Sequence, residues 1–253
     1  MVLTAAGWGL VVGASLLLGA IAAAVTKLPE RAAALLTAFG GGVLLAAVAL
    51  ELVPEADREA GAALTAIGLA GGMLIYIAAD ALLNRNEKRK KMRRMMHASA
   101  AGHDMRTDAE GDSAARGESV AAGLFVDGVP ESLALGLTVA EGEIGVALLA
   151  GVLVGNLVEA YGAAQPIIAG GRSKRFAVGL LATIGLALAV ATTLGGSLLA
   201  DASPEFIGTA QAVAAGAVLS VVSIAIIPYA FREVSGLVAA ATVAGFIGGY
   251  VVG

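Results

Sequence analysis

GGGVLLAAVALELVPEA, Gly40–Ala56, returns later in the chain as AAGAVLSVVSIAIIPYA, Ala214–Ala230. Laid over one another, the stretches match Gly42 to Gly216, Leu45 to Leu219, Val48 to Val222, Pro54 to Pro228 and Ala56 to Ala230. Both are apolar runs too long for an average strand, and both end in a proline that cannot donate to the preceding turn. Two such copies crossing a bilayer in opposite directions form an inverted repeat, an arrangement of secondary transporters whose sites lie at the repeat interface. Chance similarity between two Ala/Val/Gly helices is the alternative.

Composition fixes the solvent. Hydrophobic residues make up 58% of the 253 and charged residues 14%, and the mean hydropathy is +0.86, far from the soluble mixture. An all-α integral membrane protein is expected, because long unbroken Ala/Leu/Val/Gly runs suit spanning helices rather than the alternating strands of a barrel. The 35 glycines permit close helix packing, and without cysteine there are neither disulfides nor thiolate metal ligands. Windows of about 20 apolar residues give eight transmembrane helices at 8–26, 33–53, 62–83, 119–139, 144–168, 176–199, 209–229 and 235–252. The first is too long an apolar run for a signal peptide and lacks a basic leader.

Basic residues orient the helices. With both termini outside, every one of the 16 Lys and Arg except Arg58 falls on the inner side, as the positive-inside rule requires. The outer connections instead carry acids, among them Glu55, Asp57, Glu141, Glu143 and Glu205, which concentrate cations at that face. The chain therefore reads as one membrane domain: 1–83 holds helices 1–3, 84–117 is a flexible basic cytoplasmic loop, and 118–253 holds helices 4–8. Helices 1–3 and 6–8 form the inverted repeat around helices 4 and 5. The loop carries EKRKKMRRMMH and both histidines, His97 and His103. It is read as a solvated linker against anionic lipid, or as a loose metal catch.

The fourth span contains LFVDGVPESLALG, Leu124–Gly136, where Asp127, Pro130 and Glu131 are each costly in a membrane. On a helix Asp127 and Glu131 share a face one turn apart. Pro130 cannot bond the carbonyl of Val126, so a free carbonyl oxygen stands beside two carboxylates. This makes an oxygen-rich cation site, since two acids this close repel without a cation or a proton. Asn156 and Glu159, three apart on the fifth span, lie at a similar depth, and Gln165-Pro166 breaks that helix below them. The alternative is a pair of protonated acids that only bond neighbouring helices.

These residues resemble the ZIP (Zrt/Irt-like) family of divalent metal transporters. The family's His-Asn-x-Pro-Glu-Gly motif of span four is matched by Asp127-Gly128-Val129-Pro130-Glu131-Ser132. Its span-five pattern of His or Gln, a polar residue and Glu is matched by Gly155, Asn156 and Glu159. Its span-two His-Leu-x-Pro-Glu-Ala is matched by Glu51-Leu52-Val53-Pro54-Glu55-Ala56. The resemblance covers nearly the whole chain and implies eight spans, both termini outside, a homodimer, and metal uptake through a site between spans four and five. It implies a metal set of Asp127, Glu131, Asn156 and Glu159, with Glu51 as a ligand at the outer mouth. The departures are Asp127 and Gly155 at the two histidine positions, Gly128 at the asparagine, and no acid in span six, so one metal rather than two is expected.

Oxygen-only ligands favour harder ions such as Mn²⁺, Mg²⁺ or Ca²⁺, with Fe²⁺ or zinc also able to bind, since zinc sites usually include imidazole or thiolate. The expected protein is not an enzyme. Its partners are a divalent metal ion (Zn, Mn, Fe or another) as substrate, the lipid bilayer and a second copy of itself, without nucleic acid or an organic cofactor. It is expected in the plasma (inner) membrane as a multi-pass protein. No nucleotide motif points to ATP coupling. Two other readings stand: a non-transporting metal sensor or scaffold of the same fold, and an intramembrane aspartyl protease using Asp80 and Asp127, whose paired acids could share a proton.

Overall fold

The computed structural model describes residues 2–101, 118, 121, 124, 125, 128, 129, 131–139, 146–198 and 202–252, and among them every regular element is helical. In chain order these are α1 (Val2–Val25), α2 (Glu30–Ala47), a π-helical turn (Val48–Leu52), α3 (Val53–Ala101), α4 (131–139), α5 (Val146–Ala169) and α6 (Lys174–Leu198). They are followed by α7 (Pro204–Val221), a second π-helical turn (Val222–Ile226), α8 (Ile227–Val234) and α9 (Leu237–Val252). Among the described residues, five helical stretches are long and apolar enough to cross a membrane, and Leu237–Val251 is a shorter apolar helix. Large aliphatic side chains such as Leu3, Leu10, Ile67 and Val251 are exposed on their outer faces, as lipid contact requires. The protein is an all-α, multi-pass membrane protein.

The helical run from Arg31 to Leu82 is two helices, not one: it is broken at Gly61, whose φ 76 and ψ 159 are not helical, a conformation glycine adopts without Cβ strain. The break falls between the expected second and third spans. Pro54 does not stop the helix because the π-turn in front of it absorbs the ring. The N–H of Val53 reaches back to the Val48 carbonyl, which widens the turn where a proline would otherwise press on it.

The second copy of the repeat does the same. Val222–Ile226 forms the other π-turn, with the Ile227 N–H bonded to the Val222 carbonyl, at the same offset that pairs Pro54 with Pro228. Ser235, at φ 50, stands where Gly61 stands in the first copy. Packing follows the same equivalence. α3 lies parallel to α7, and α2 parallel to α9. At Gly72 and Gly216 in the first interface, and at Gly42 and Gly245 in the second, the facing helix backbone leaves no space for a Cβ. α1 and α6 cross antiparallel, each of Gly13 and Gly185 facing the carbonyl of the other.

α1 packs against both α5 and α6, and α4 runs parallel to α6 and is mostly buried over its described residues. α3 pairs with α7 and α2 with α9, and α2 also packs across α5 antiparallel, with Gly40 against Gly155 and Leu44 against Gly151. The central core of Leu16, Leu44, Leu135, Leu148, Leu181 and Leu188 joins α1, α2, α4, α5 and α6.

Candidate functional site

Asp127 and Pro130 lie outside the described residues, so the site is built from their neighbours. Glu131 lies on α4 with 5% of its surface exposed, next to the fully buried Ser132. Asn156 of α5 is 2% exposed, and its amide nitrogen has no hydrogen-bond partner among the described residues. Glu159, one turn further on, is half-buried. Burial of this kind is expensive for polar groups unless a partner, a proton or a cation compensates. Among the described residues no three of His, Cys, Asp and Glu converge, and the expected carboxylate set also needs Asp127.

One of the two motif departures has a packing counterpart. At Gly128 a Cβ would stand 2.5 Å from Leu188 Cδ1 of α6, so a leucine occupies the space where the family resemblance places asparagine. At Gly155 a Cβ would make only ordinary contact, with Leu44 Cδ1 at 3.9 Å. Leu188 of α6 thus closes directly on Gly128, whereas Gly155 has space beside it.

Glu51, expected as an outer ligand, sits on the first π-turn, half-buried, and its Oε2 accepts the Leu148 N–H at 3.2 Å. Glu55 on the following turn is ion-paired with Arg58. Asp80, invoked in the protease reading, lies half-buried on α3, which packs on α7 rather than on α5.

The sequence reading missed the far end of α5. There Gln165 Nε2 donates to the carbonyls of Ala23 and Thr26, each at 2.8 Å. Tyr161 accepts the Leu28 N–H through its hydroxyl and donates to the Thr26 carbonyl at 3.4 Å. These bonds satisfy carbonyls left open where α1 ends. The signal was present as Tyr161 and Gln165 one turn apart on an apolar helix, a spacing that puts both on one face. An apolar groove of about 430 Å³ between α1, α2 and α5 is lined by Val11, Ser15, Leu18, Leu36, Leu153 and Val158, with no acid in its lining.

No protein-family model matches the chain, and no curated protein matches it in sequence.

Proposed function

We propose that the protein is a ZIP-like transporter that carries a divalent metal cation across the plasma (inner) membrane towards the cytoplasm. The carrying observation is the burial of Glu131 and Asn156 on two helices in the interior of a lipid-embedded bundle, since ionisable and polar groups at such depth mark ion pathways. Asp127, Glu131, Asn156 and Glu159 replace the ion's hydration water, and the oxygen-only set favours Mn²⁺ and similar hard ions. The leucine packed at Gly128 supports a single metal.

Eight crossings with both termini outside fit the alternation of helix directions. α1, α3, α5 and α7 run one way, and α2, α4, α6 and α9 the other. The matched π-turns and the matched α3/α7 and α2/α9 contacts support the inverted repeat of helices 1–3 and 6–8 around helices 4 and 5. Transport then proceeds by rocking of one set of helices against another about the α2/α5 crossing. The working unit is a homodimer.

The test is flux into proteoliposomes of the purified protein, comparing Mn²⁺, Zn²⁺, Fe²⁺, Mg²⁺ and Ca²⁺, with Glu131→Ala and Glu159→Ala beside the native chain. Flux of at least one ion that both substitutions abolish supports the reading. Metal binding without flux favours a sensor or scaffold, and cleavage of a membrane substrate favours the protease.

A further inference from the structure

The groove between α1, α2 and α5 has an open side and a basic end. Val11, Leu18, Leu36 and Leu157 stand on its rim, 42%, 57%, 43% and 41% exposed, so it opens sideways onto the lipid around the helices. Its one polar lining residue, Ser15, is satisfied within α1, where its hydroxyl donates to the Val12 carbonyl at 2.7 Å. The walls therefore ask nothing polar of an occupant, and left empty they forfeit the packing of every side chain that lines them. Just past the groove, Tyr161 and Gln165 of α5 fasten that helix to the end of α1. There, where α1 gives way to α2, Lys27 and Arg31 are both exposed. The stretch 26–32 holds these two cations and one acid, Glu30, so its net charge is positive. Arg31 precedes Leu36 by five residues, about 7.5 Å along the axis, and the stems of long basic side chains run readily along apolar surface.

We infer that the groove is a phospholipid site, with one acyl chain between α1, α2 and α5 and an anionic headgroup on Lys27 and Arg31. Selectivity comes from the headgroup. Within a bilayer an acyl chain gains nothing by exchanging other lipid for a leucine-lined wall, because both are equally apolar. Each cation at headgroup depth favours an anionic lipid by about fivefold. A second copy of the chain is the poorer occupant. Two copies in one membrane orientation, meeting here about a two-fold axis, would bring both Lys27–Arg31 pairs together at the same depth, where like charges repel. The bound chain lies against Leu153, Val154 and Leu157, which flank Asn156 on α5, beside the crossing where Gly40 meets Gly155. The site does not depend on the transport reading.

Native mass spectrometry of the delipidated full-length protein tests this, with phosphatidylglycerol and phosphatidylcholine of identical chains titrated separately. The native protein is expected to hold one phosphatidylglycerol per chain about twentyfold more tightly than phosphatidylcholine. Lys27→Ala combined with Arg31→Ala is expected to remove that preference. Ala14→Phe, which puts a ring into the groove, is expected to abolish the tight site for both lipids. Lys90→Ala combined with Lys91→Ala, in the separate basic tract, is expected to leave it intact. Equal binding of the two lipids by the native protein would overturn the site, as would a preference that depends on Lys90 and Lys91 but not on Lys27 and Arg31. Tight binding that survives Ala14→Phe would overturn it too, and so would a lipid-free dimer that Ala14→Phe splits. If Ala14→Phe does not fold, the charge variants decide: loss of the preference in Lys27→Ala/Arg31→Ala alone supports the site, and its persistence there overturns it.

Discussion

Replacing Gly13 by alanine should separate α1 from α6. A Cβ at Gly13 would stand 2.7 Å from the Gly185 carbonyl oxygen, and one at Gly185 the same distance from the Gly13 oxygen. Ordinary contact begins near 3.4 Å, so each substitution falls short by about 0.7 Å against backbone that no side-chain rotation can move. Opening a packed interface by 0.5–1 Å forfeits roughly a quarter to a half of each contact's attraction, and overpacking of this kind costs about 1–3 kcal/mol. Gly13→Ala and Gly185→Ala should therefore lower the thermal midpoint in detergent by similar amounts, several degrees each. The double variant should lose less than the sum, since helices already parted for one Cβ accept the second. Gly7, which faces open space, is the control, and Gly7→Ala should leave the midpoint unchanged or raise it slightly. A Gly13→Ala midpoint indistinguishable from the native one would refute the close crossing, and strictly additive losses would refute the shared cause.

The repeat makes opposite forecasts at its two corners. Gly61→Ala should destabilise by about 1–3 kcal/mol, because φ 76 with ψ 159 is nearly glycine-only backbone, whereas Ser235→Gly at φ 50 should stabilise by up to about 1 kcal/mol, both read from detergent melts. Gln165→Leu orphans bonds to the Ala23 and Thr26 carbonyls and should cost about 1–3 kcal/mol in the same assay. Gly155→His should place an imidazole one turn from Glu159, since a Cβ there makes only ordinary contact, and raise zinc affinity relative to manganese by about tenfold or more, measured by competitive binding.

Much of this architecture was legible in the sequence because a lipid solvent writes in large letters. The apolar windows, the prolines and the paired stretches Gly40–Ala56 and Ala214–Ala230 led to helices and a repeat. The structure puts matched π-turns in those same stretches. What was not legible was how Pro54 is accommodated, since a π-turn depends on backbone register and leaves no side-chain pattern. Nor was it legible that Gly61, one glycine among 35, carries the break between the second and third helical runs. At the site, Glu131 and Asn156 were legible as buried polar groups on apolar helices. The contacts of Glu51 with Leu148 and of Gln165 with α1 were not, because each joins segments far apart in the chain and follows only from the packed fold.

The most direct test of the central claim is the anomalous difference density of Mn²⁺ in crystals of the protein. The account predicts one principal peak per chain, bounded by carboxylate oxygens of Glu131 and Glu159 and the amide of Asn156, and lost in Glu131→Gln. A principal peak confined to the acids and histidines of the 84–117 segment, or no ordered Mn²⁺ between α4 and α5 at saturating concentration, would contradict it.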